Sequence, residues 1–393
     1  MGTQDALIDL TKTIYDKLDK DKKCLVIFLD LAKCFDSLSH NILIRKLKEV
    51  GISGTALEVL TNYLSEREQT VKIVNVESDK DFLTYGTPQG TLLGPILFLI
   101  FINSICQIEL KNGKVTTYAD DTALTFYGNT WEETYASANN GLTTVRKALD
   151  RDSLTINVEK TKYITFGLRH NNIPNDIFLR FHKNDCEINC NCPSVSRTEN
   201  IKYLGIIIDS KLSWKEHIAS IATRVRKLYY KFHHLKHILN RQVLKMVYYA
   251  IVQSIIQYGI IVWGGAYKKH LQKLTIAQKI LLKIILKKTR RYPTKDTYQE
   301  AQILDVKKLY KKIVLLHLFD HPQNKTQIEH QHETRLKSKH NIRTPRHQKT
   351  HTQNYFIFTA PHLYNSLPTG IKTINTKQKF KTSIHNWLLA SNN

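Results

Sequence analysis

Three acids stand where a chain can do metal chemistry. Asp30 lies at the end of a short apolar run, Cys24–Leu31 (CLVIFLDL), which reads as a buried strand. Asp120 and Asp121 lie at the centre of Lys114–Tyr127 (KVTTYADDTALTFY), two β-rich runs that predict a hairpin with acids at its tip. Strand ends and turns let carboxylates converge while a sheet holds them rigid. Carboxylates are hard oxygen ligands suited to Mg²⁺. Two such ions about 4 Å apart stabilise both the attacking and the leaving oxygen of an in-line phosphoryl transfer. Taken singly, Asp30 is an ordinary strand terminator and Asp120–Asp121 an ordinary turn, so only their combination points to chemistry.

Between the acids lies Gly86-Thr87-Pro88-Gln89-Gly90, a Gly/Pro turn that opens an apolar helix from about Leu92 to Ile105. Such a loop lets backbone approach a ligand closely, and Gln89 offers both a donor and an acceptor. The positioning elements follow from periodicity. Helices are expected over 5–20, from Ser39-His40-Asn41 to Gly51, and over Trp131–Asp150. A hairpin is expected over 70–85, strand–turn–strand over Leu154–Phe166, a polar loop over 169–199, and a strand over Ile201–Asp209. From Trp214 the period turns helical, near 214–238, 241–262 and 267–288. Residues 321–355 are rich in His, Lys, Arg and Gln and read as a flexible basic linker before a last compact stretch, Phe356–Leu389.

The chain has 393 residues, 42% hydrophobic, which is enough for two or three domains and excludes a disordered polymer. Its net charge of +24 is unevenly spread. Residues 1–200 carry 23 Lys and Arg against 26 Asp and Glu; residues 201–393 carry 35 against 8. One part is suited to cations and the other to a polyanion such as a nucleic-acid backbone. Six cysteines in so long a chain, with no secretory signal, imply a reducing nuclear or cytoplasmic setting. Met246–Trp263 is long and apolar, but Gln253 and Gln257 interrupt it, and it reads as a buried helix with no membrane partner. His182, Cys186, Cys190 and Cys192 offer soft ligands at a spacing that fits no zinc motif.

FLDLAKCFDSLSH, GTPQGTLLGPILFLIFIN, TYADDTALTF, LTINVEKTKYITF and IKYLGIIID occur in this order. Together they resemble the successive blocks of reverse transcriptases, specifically those of non-LTR (LINE-type, jockey-like) retrotransposons, over roughly residues 1–290. The tail, with TRLKSKHNIRTPRHQ and APHLYNSLPTGIK, also looks jockey-like. The resemblance implies an α/β (α+β) polymerase palm on a small antiparallel sheet, with partial fingers, over 1–212, a helical thumb over 213–300 and a basic C-terminal region over 301–393. It implies RNA-directed DNA synthesis: a primer 3′-hydroxyl attacks a dNTP α-phosphate with two Mg²⁺ ions, Mn²⁺ being the alternative. The implied partners are an RNA template, a DNA primer and dNTPs; oligomeric state is left open.

By the same resemblance, Asp30, Asp120 and Asp121 match the catalytic carboxylates, with the Leu31 carbonyl as a further metal ligand. Phe35 matches the aromatic gate under the sugar, against the plainer reading of a core Phe. Pro88, Gln89 and Gly90 match the nucleotide- and template-contacting loop. Lys160, in Asn157-Val158-Glu159-Lys160-Thr161, matches the residue near the leaving pyrophosphate, against the plainer reading of a solvated turn lysine. Tyr203, Leu204 and Gly205 match the primer grip, and Arg224, Arg226, Lys227 and Lys231 a phosphate-contacting face of the thumb. Three departures stand out. The chain starts just before the first acid block, so upstream fingers and an endonuclease are expected to be missing. Ser104-Ile105 replaces the usual Asp-Leu, and RKALDRDSLTIN lacks the usual Trp. The rival reading is a catalytically dead, truncated nucleic-acid-binding remnant.

Overall fold

The computed structural model describes residues 2–32, 34–88, 90–167, 173–174, 177–182, 192–322, 341–346, 349 and 352–391. The chain divides into two compact units, one of residues 1–6 and 21–204, the other of residues 7–20 and 205–393. The architecture is mixed α/β, with small sheets and many helices.

The first unit is built on a five-stranded sheet in the spatial order Gly113–Tyr118, Asp121–Gly128, Lys23–Leu29, Lys162–Phe166, Ser196–Arg197. The first three pairings are antiparallel and the last is parallel. Lys23–Leu29 is central and buried from Cys24 onward, which explains why it reads as a continuous apolar run rather than an alternating one. Helix Leu93–Cys106 turns Leu97, Phe98, Phe101, Ile102 and Ile105 inward at helical spacing. Helix Trp131–Arg151 is capped by Thr130, whose Oγ1 accepts from the Glu133 amide at 3.3 Å, while Glu133 Oε2 accepts from the amide of Asn129, the residue before the cap, at 2.8 Å. Helix His40–Glu49 has Ser39 at its N-cap position without a side-chain cap bond.

Lys46 of that helix, 5% exposed, reaches fully buried Asp152 at 2.6 Å and the Ser104 hydroxyl at 2.9 Å. Ser104 thus stands inside a buried ion pair, where its hydroxyl also donates to Asp152 at 2.6 Å.

The expected hairpin over 70–85 is two nested ribbons, Glu68–Gln69 with Asp81–Phe82 and Lys72–Ile73 with Val76–Glu77. Helix Gly54–Leu64 has no counterpart in the sequence pattern. Of Leu154–Phe166 only Lys162–Phe166 is a strand; the residues before it form a turn. Ile201–Asp209 is two strands, Asn200–Tyr203 and Ile206–Asp209, because Leu204 (φ 44°) and Gly205 (φ 78°) turn left-handed between them.

The second unit pairs helix Lys215–Ile238 with helix Lys268–Ile285. The apolar stretch between them is broken: α-helix Arg241–Val247, π-helix Tyr248–Gln253, then short turns Ser254–Gln257 and Ile260–Trp263. Gly259 (φ 58°) makes that break, and a Cβ there would stand 2.2 Å from Ile206 Cδ1. Among the described residues no helix is long and apolar enough to cross a membrane.

Helices Thr294–Ala301, Val306–Asp320, Phe356–Asn365, Thr369–Lys372 and Lys377–Ala390 follow in this unit, to which residues 7–19 of helix Thr3–Asp19 also belong. Most of 321–355 lies outside the described residues, but its later part is docked. The Ile342 amide and carbonyl both bond Asn365 at 2.9 Å, the Thr352 hydroxyl donates to Asp19 at 2.8 Å, and Tyr355 stacks on Tyr15 at 4.3 Å.

Candidate active site

The three acids meet at one end of the sheet. Leu29 pairs with Thr122, so Asp30 and Asp121 follow as the next residues on adjacent strands. Tyr118 pairs with Asp121, leaving Ala119 and Asp120 as a two-residue turn. Ala119 sits at φ 53°, left-handed backbone that costs a non-glycine residue roughly 1–2 kcal/mol. Strain of this kind gathers where function over-determines the backbone.

Asp30 is half-buried, while Asp120 and Asp121 open to solvent. Desolvation by the surrounding protein, then the charges of Asp120 and Asp30, push the Asp121 carboxyl above the usual carboxylate range. The same two charges reach Cys34, whose thiol is raised first by burial and then by Asp120. Negative charge is therefore in excess, and the donors are hard oxygens, the ligand chemistry that divalent cations prefer. Among the described residues, no three His, Cys, Asp or Glu side chains are already gathered around one metal-sized point.

The chain after Asp30 is held from one side. Leu31 bridges Ile156, and the Ala32 amide donates to the Thr155 carbonyl at 2.9 Å. Lys160 is exposed, and its amide donates to Asn157 Oδ1 at 3.2 Å. Phe35 is half-buried and stacks on Phe98 at 4.3 Å. Its carbonyl accepts the Thr87 amide at 3.2 Å, which docks the Gly/Pro loop onto the same segment.

Gly86 (φ 85°) is required there, because a Cβ would meet Asp36 Cα at 3.2 Å. His40 Nε2 lies 2.7 Å from the Gly86 carbonyl. Pro88 lines a cavity of about 720 Å³ shared with Asp36, His40, Arg67, Gln69 and Thr87; Gly90 (φ 80°) is not among its lining residues. Gln89 lies outside the described residues. Arg67 escapes the sequence pattern as a cavity residue because it lies outside the quoted blocks, and His40, which ends the first block, reads there only as part of a helix start.

Tyr203 is buried with its ring 5.0 Å from that of Phe28; it and Leu204 belong to the first unit, Gly205 to the second. Cys186 and Cys190 lie outside the described residues, so the His182–Cys192 group cannot be assembled from what is described.

In the second unit Arg224, Arg226, Lys227 and Lys231 are all exposed on helix Lys215–Ile238. They do not form one face. At about 100° per residue, Arg224, Lys227 and Lys231 share a stripe, and Arg226 falls instead with Tyr230, His233 and His237. Those three line a groove of about 870 Å³ closed by helix Lys268–Ile285 and the residues after it, including Lys279, Lys283, Lys287 and Arg290. Among the described residues, no carboxylate lines it. The charge of Lys236, first of all, holds His233 below its ordinary value, and His237 and His234 add to it. The lysines after 276 escape the sequence pattern because there they show only as part of a helical period.

A sheet end bearing three acids, with a Gly/Pro loop docked beside it, is the candidate active site of this chain. The model of the reverse transcriptase (RNA-dependent DNA polymerase) family matches residues 3–208, and the chain belongs to that family. Its relatives include the probable RNA-directed DNA polymerase from transposon BS of Drosophila melanogaster, 28% identical over 288 residues, covering 70% of this chain and 30% of the relative. The RNA-directed DNA polymerase from mobile element jockey of the same organism is 26% identical over 317 residues, covering 77% and 32%. The chain thus spans about a third of the length of these curated relatives. A telomerase structure from Candida tropicalis, in complex with a fragment of telomeric RNA, overlaps at TM-score 0.38 with 12% identity, over 75% of this chain and 52% of that one.

Proposed function

We propose that this chain is the polymerase core of a jockey-like non-LTR retrotransposon and copies RNA into DNA. The observation that carries the reading is the meeting of Asp30, Asp120 and Asp121 on adjacent strands and one hairpin turn. In this reading Asp30 and Asp120 are the principal ligands of Mg²⁺, with Asp121 and the Leu31 carbonyl behind them. The bound cations supply charge for the transferring phosphoryl group. The primer 3′-hydroxyl attacks the α-phosphate of the dNTP, the new P–O bond forms in line, and pyrophosphate leaves.

Phe35, stacked on Phe98, forms the floor under the sugar, where a ribose 2′-hydroxyl would clash. Pro88, Gln89 and Gly90 shape the nucleotide loop. Lys160, exposed on its turn, faces the leaving group and either protonates it or stabilises its charge. The sheet unit is the palm and the helical unit holds the thumb, whose groove and two basic stripes track a phosphate backbone. Tyr203, Leu204 and Gly205 act as the primer grip.

Primer extension on an RNA template with Mg²⁺ and dNTPs tests this, comparing the chain with Asp120→Asn. Extension that falls at least about 100-fold in the variant supports a working palm. Equal extension in both would sink it. No extension in either, with salt-sensitive RNA binding intact, would favour the binding remnant.

A further inference from the structure

Both backbone polar groups of Asp30 end on one short turn. Its amide donates to Thr161 Oγ1 at 3.2 Å, and its carbonyl accepts the Asn157 amide at 2.8 Å. The ring closes within the turn: the Thr161 hydroxyl donates to the Asn157 carbonyl at 2.8 Å, and the Thr161 amide reaches the same oxygen at 2.9 Å. The regular ladder between these strands ends at Phe28 and Lys162. Beyond it the Thr161 side chain takes the acceptor role a backbone carbonyl would otherwise fill. Thr161 is fully buried, so water cannot stand in for its hydroxyl.

We infer that Thr161 is a positioning residue for Asp30: its hydroxyl fixes the backbone from which that carboxylate projects. The inference deepens the proposed function and rests on Asp30 being a cation ligand there. In this role Thr161 acts through the Asp30 backbone, which its hydroxyl holds at 3.2 Å. Asn157 contributes its backbone to the same ring and its side chain to the Lys160 amide, so the two residues are separable.

The test compares the parent chain with Thr161→Val, which keeps the shape and removes the hydroxyl, Thr161→Ser, which restores it, and Asn157→Ala. Thermal melting selects variants that stay folded. Amide exchange across residues 29–32 should quicken about tenfold in Thr161→Val, from loss of one hydrogen bond, and stay at the parent rate in Thr161→Ser and Asn157→Ala. Calorimetric titration with Mn²⁺ alone should show binding weakened about tenfold in Thr161→Val and restored in Thr161→Ser. Unchanged exchange in a folded Thr161→Val chain, or a Thr161→Ser chain as perturbed as Thr161→Val, would overturn the inference. A parent chain that takes up no Mn²⁺ would count against the cation site, while the exchange rates would still decide the clamp.

Discussion

The sheet end of the first unit and the helical groove of the second are opposites in charge and alike in construction. At the sheet end, desolvation first and then the charges of Asp120 and Asp30 push the Asp121 carboxyl above the usual carboxylate range. In the groove, lysines and histidines crowd together with no carboxylate among the described lining residues. The buried pair Lys46–Asp152 is the contrast within the first unit: Lys46 meets its opposite charge at 2.6 Å, so that pair needs no outside partner. Like charges left uncompensated mark surfaces whose counter-charge arrives with a ligand. In the proposed function the sheet end receives divalent cations and the groove a phosphate backbone.

The comparison breaks hardest at the satisfied pair. Lys46→Met strands Asp152 in the interior, with Arg45 at 4.0 Å and Arg151 at 3.6 Å as its remaining cationic neighbours. Such a loss costs about 3–5 kcal/mol. Chemical denaturation should show a large drop in midpoint, whereas Lys279→Glu in the groove should leave the midpoint nearly unmoved. Equal effects would mean that the two kinds of charge are not different in kind.

A buried titratable group without a charge partner comes next. His217 is buried, accepts the Ile207 amide at 3.3 Å on Nδ1, and has no hydrogen-bond partner on Nε2 among the described residues. Burial first, then Arg224, pushes its pKa down to about 4. The native state holds it neutral while the unfolded chain protonates it near pH 6.5, so stability is full above that pH. It is lost as pH falls from about 6.5 to 4, by roughly 3 kcal/mol in all. Thermal melts of the parent and His217→Gln across that window check this: the variant should lose that part of the pH slope.

Much of this was legible in the sequence, for physical reasons. The central strand was readable because burial on both faces writes an unbroken apolar run, and the acid hairpin because β-rich segments flank a polar turn. Helix Gly54–Leu64 was not, since flanking glycines and few inward-facing residues give it little periodic signal. The break at Gly259 was invisible because it depends on a close approach by Ile206, far away in sequence. The pairing of Ser104 with Lys46 and Asp152 likewise needed three distant segments. The acids could be named from spacing and resemblance, but the ring that holds Asp30 is a property of hydrogen bonds, which spacing alone does not carry.

The groove sharpens the comparison from the other side. Lys279→Glu combined with Lys287→Glu places acids among cations that lack them. Binding of single-stranded RNA should weaken about tenfold at moderate salt. The slope of log affinity against log salt should flatten by about one unit for each phosphate no longer neutralised. Filter binding across a salt series measures both. An unchanged slope would remove the groove from the phosphate path and leave the Arg224, Lys227 and Lys231 stripe to carry it.

The smallest effect is the most pointed. Asp121 carries a raised pKa, so its charged form is worse accommodated in the folded chain than in the unfolded one. For an acid shifted upward, stability is greatest at low pH and falls as the group ionises. Asp121→Asn removes that penalty, desolvation first and then repulsion by Asp120 and Asp30, at neutral pH. Solvent screening at this exposed position limits the gain to a few tenths of a kcal/mol. A functional residue that opposes folding should show the sign of a trade-off: the variant melts slightly higher while primer extension falls. The melting gain should vanish when measured well below the carboxyl's pKa, where parent and variant are both neutral. A variant that melts lower at neutral pH would instead make Asp121 a structural turn residue, and would confine the strained, charge-crowded part of the site to Asp30 and Asp120.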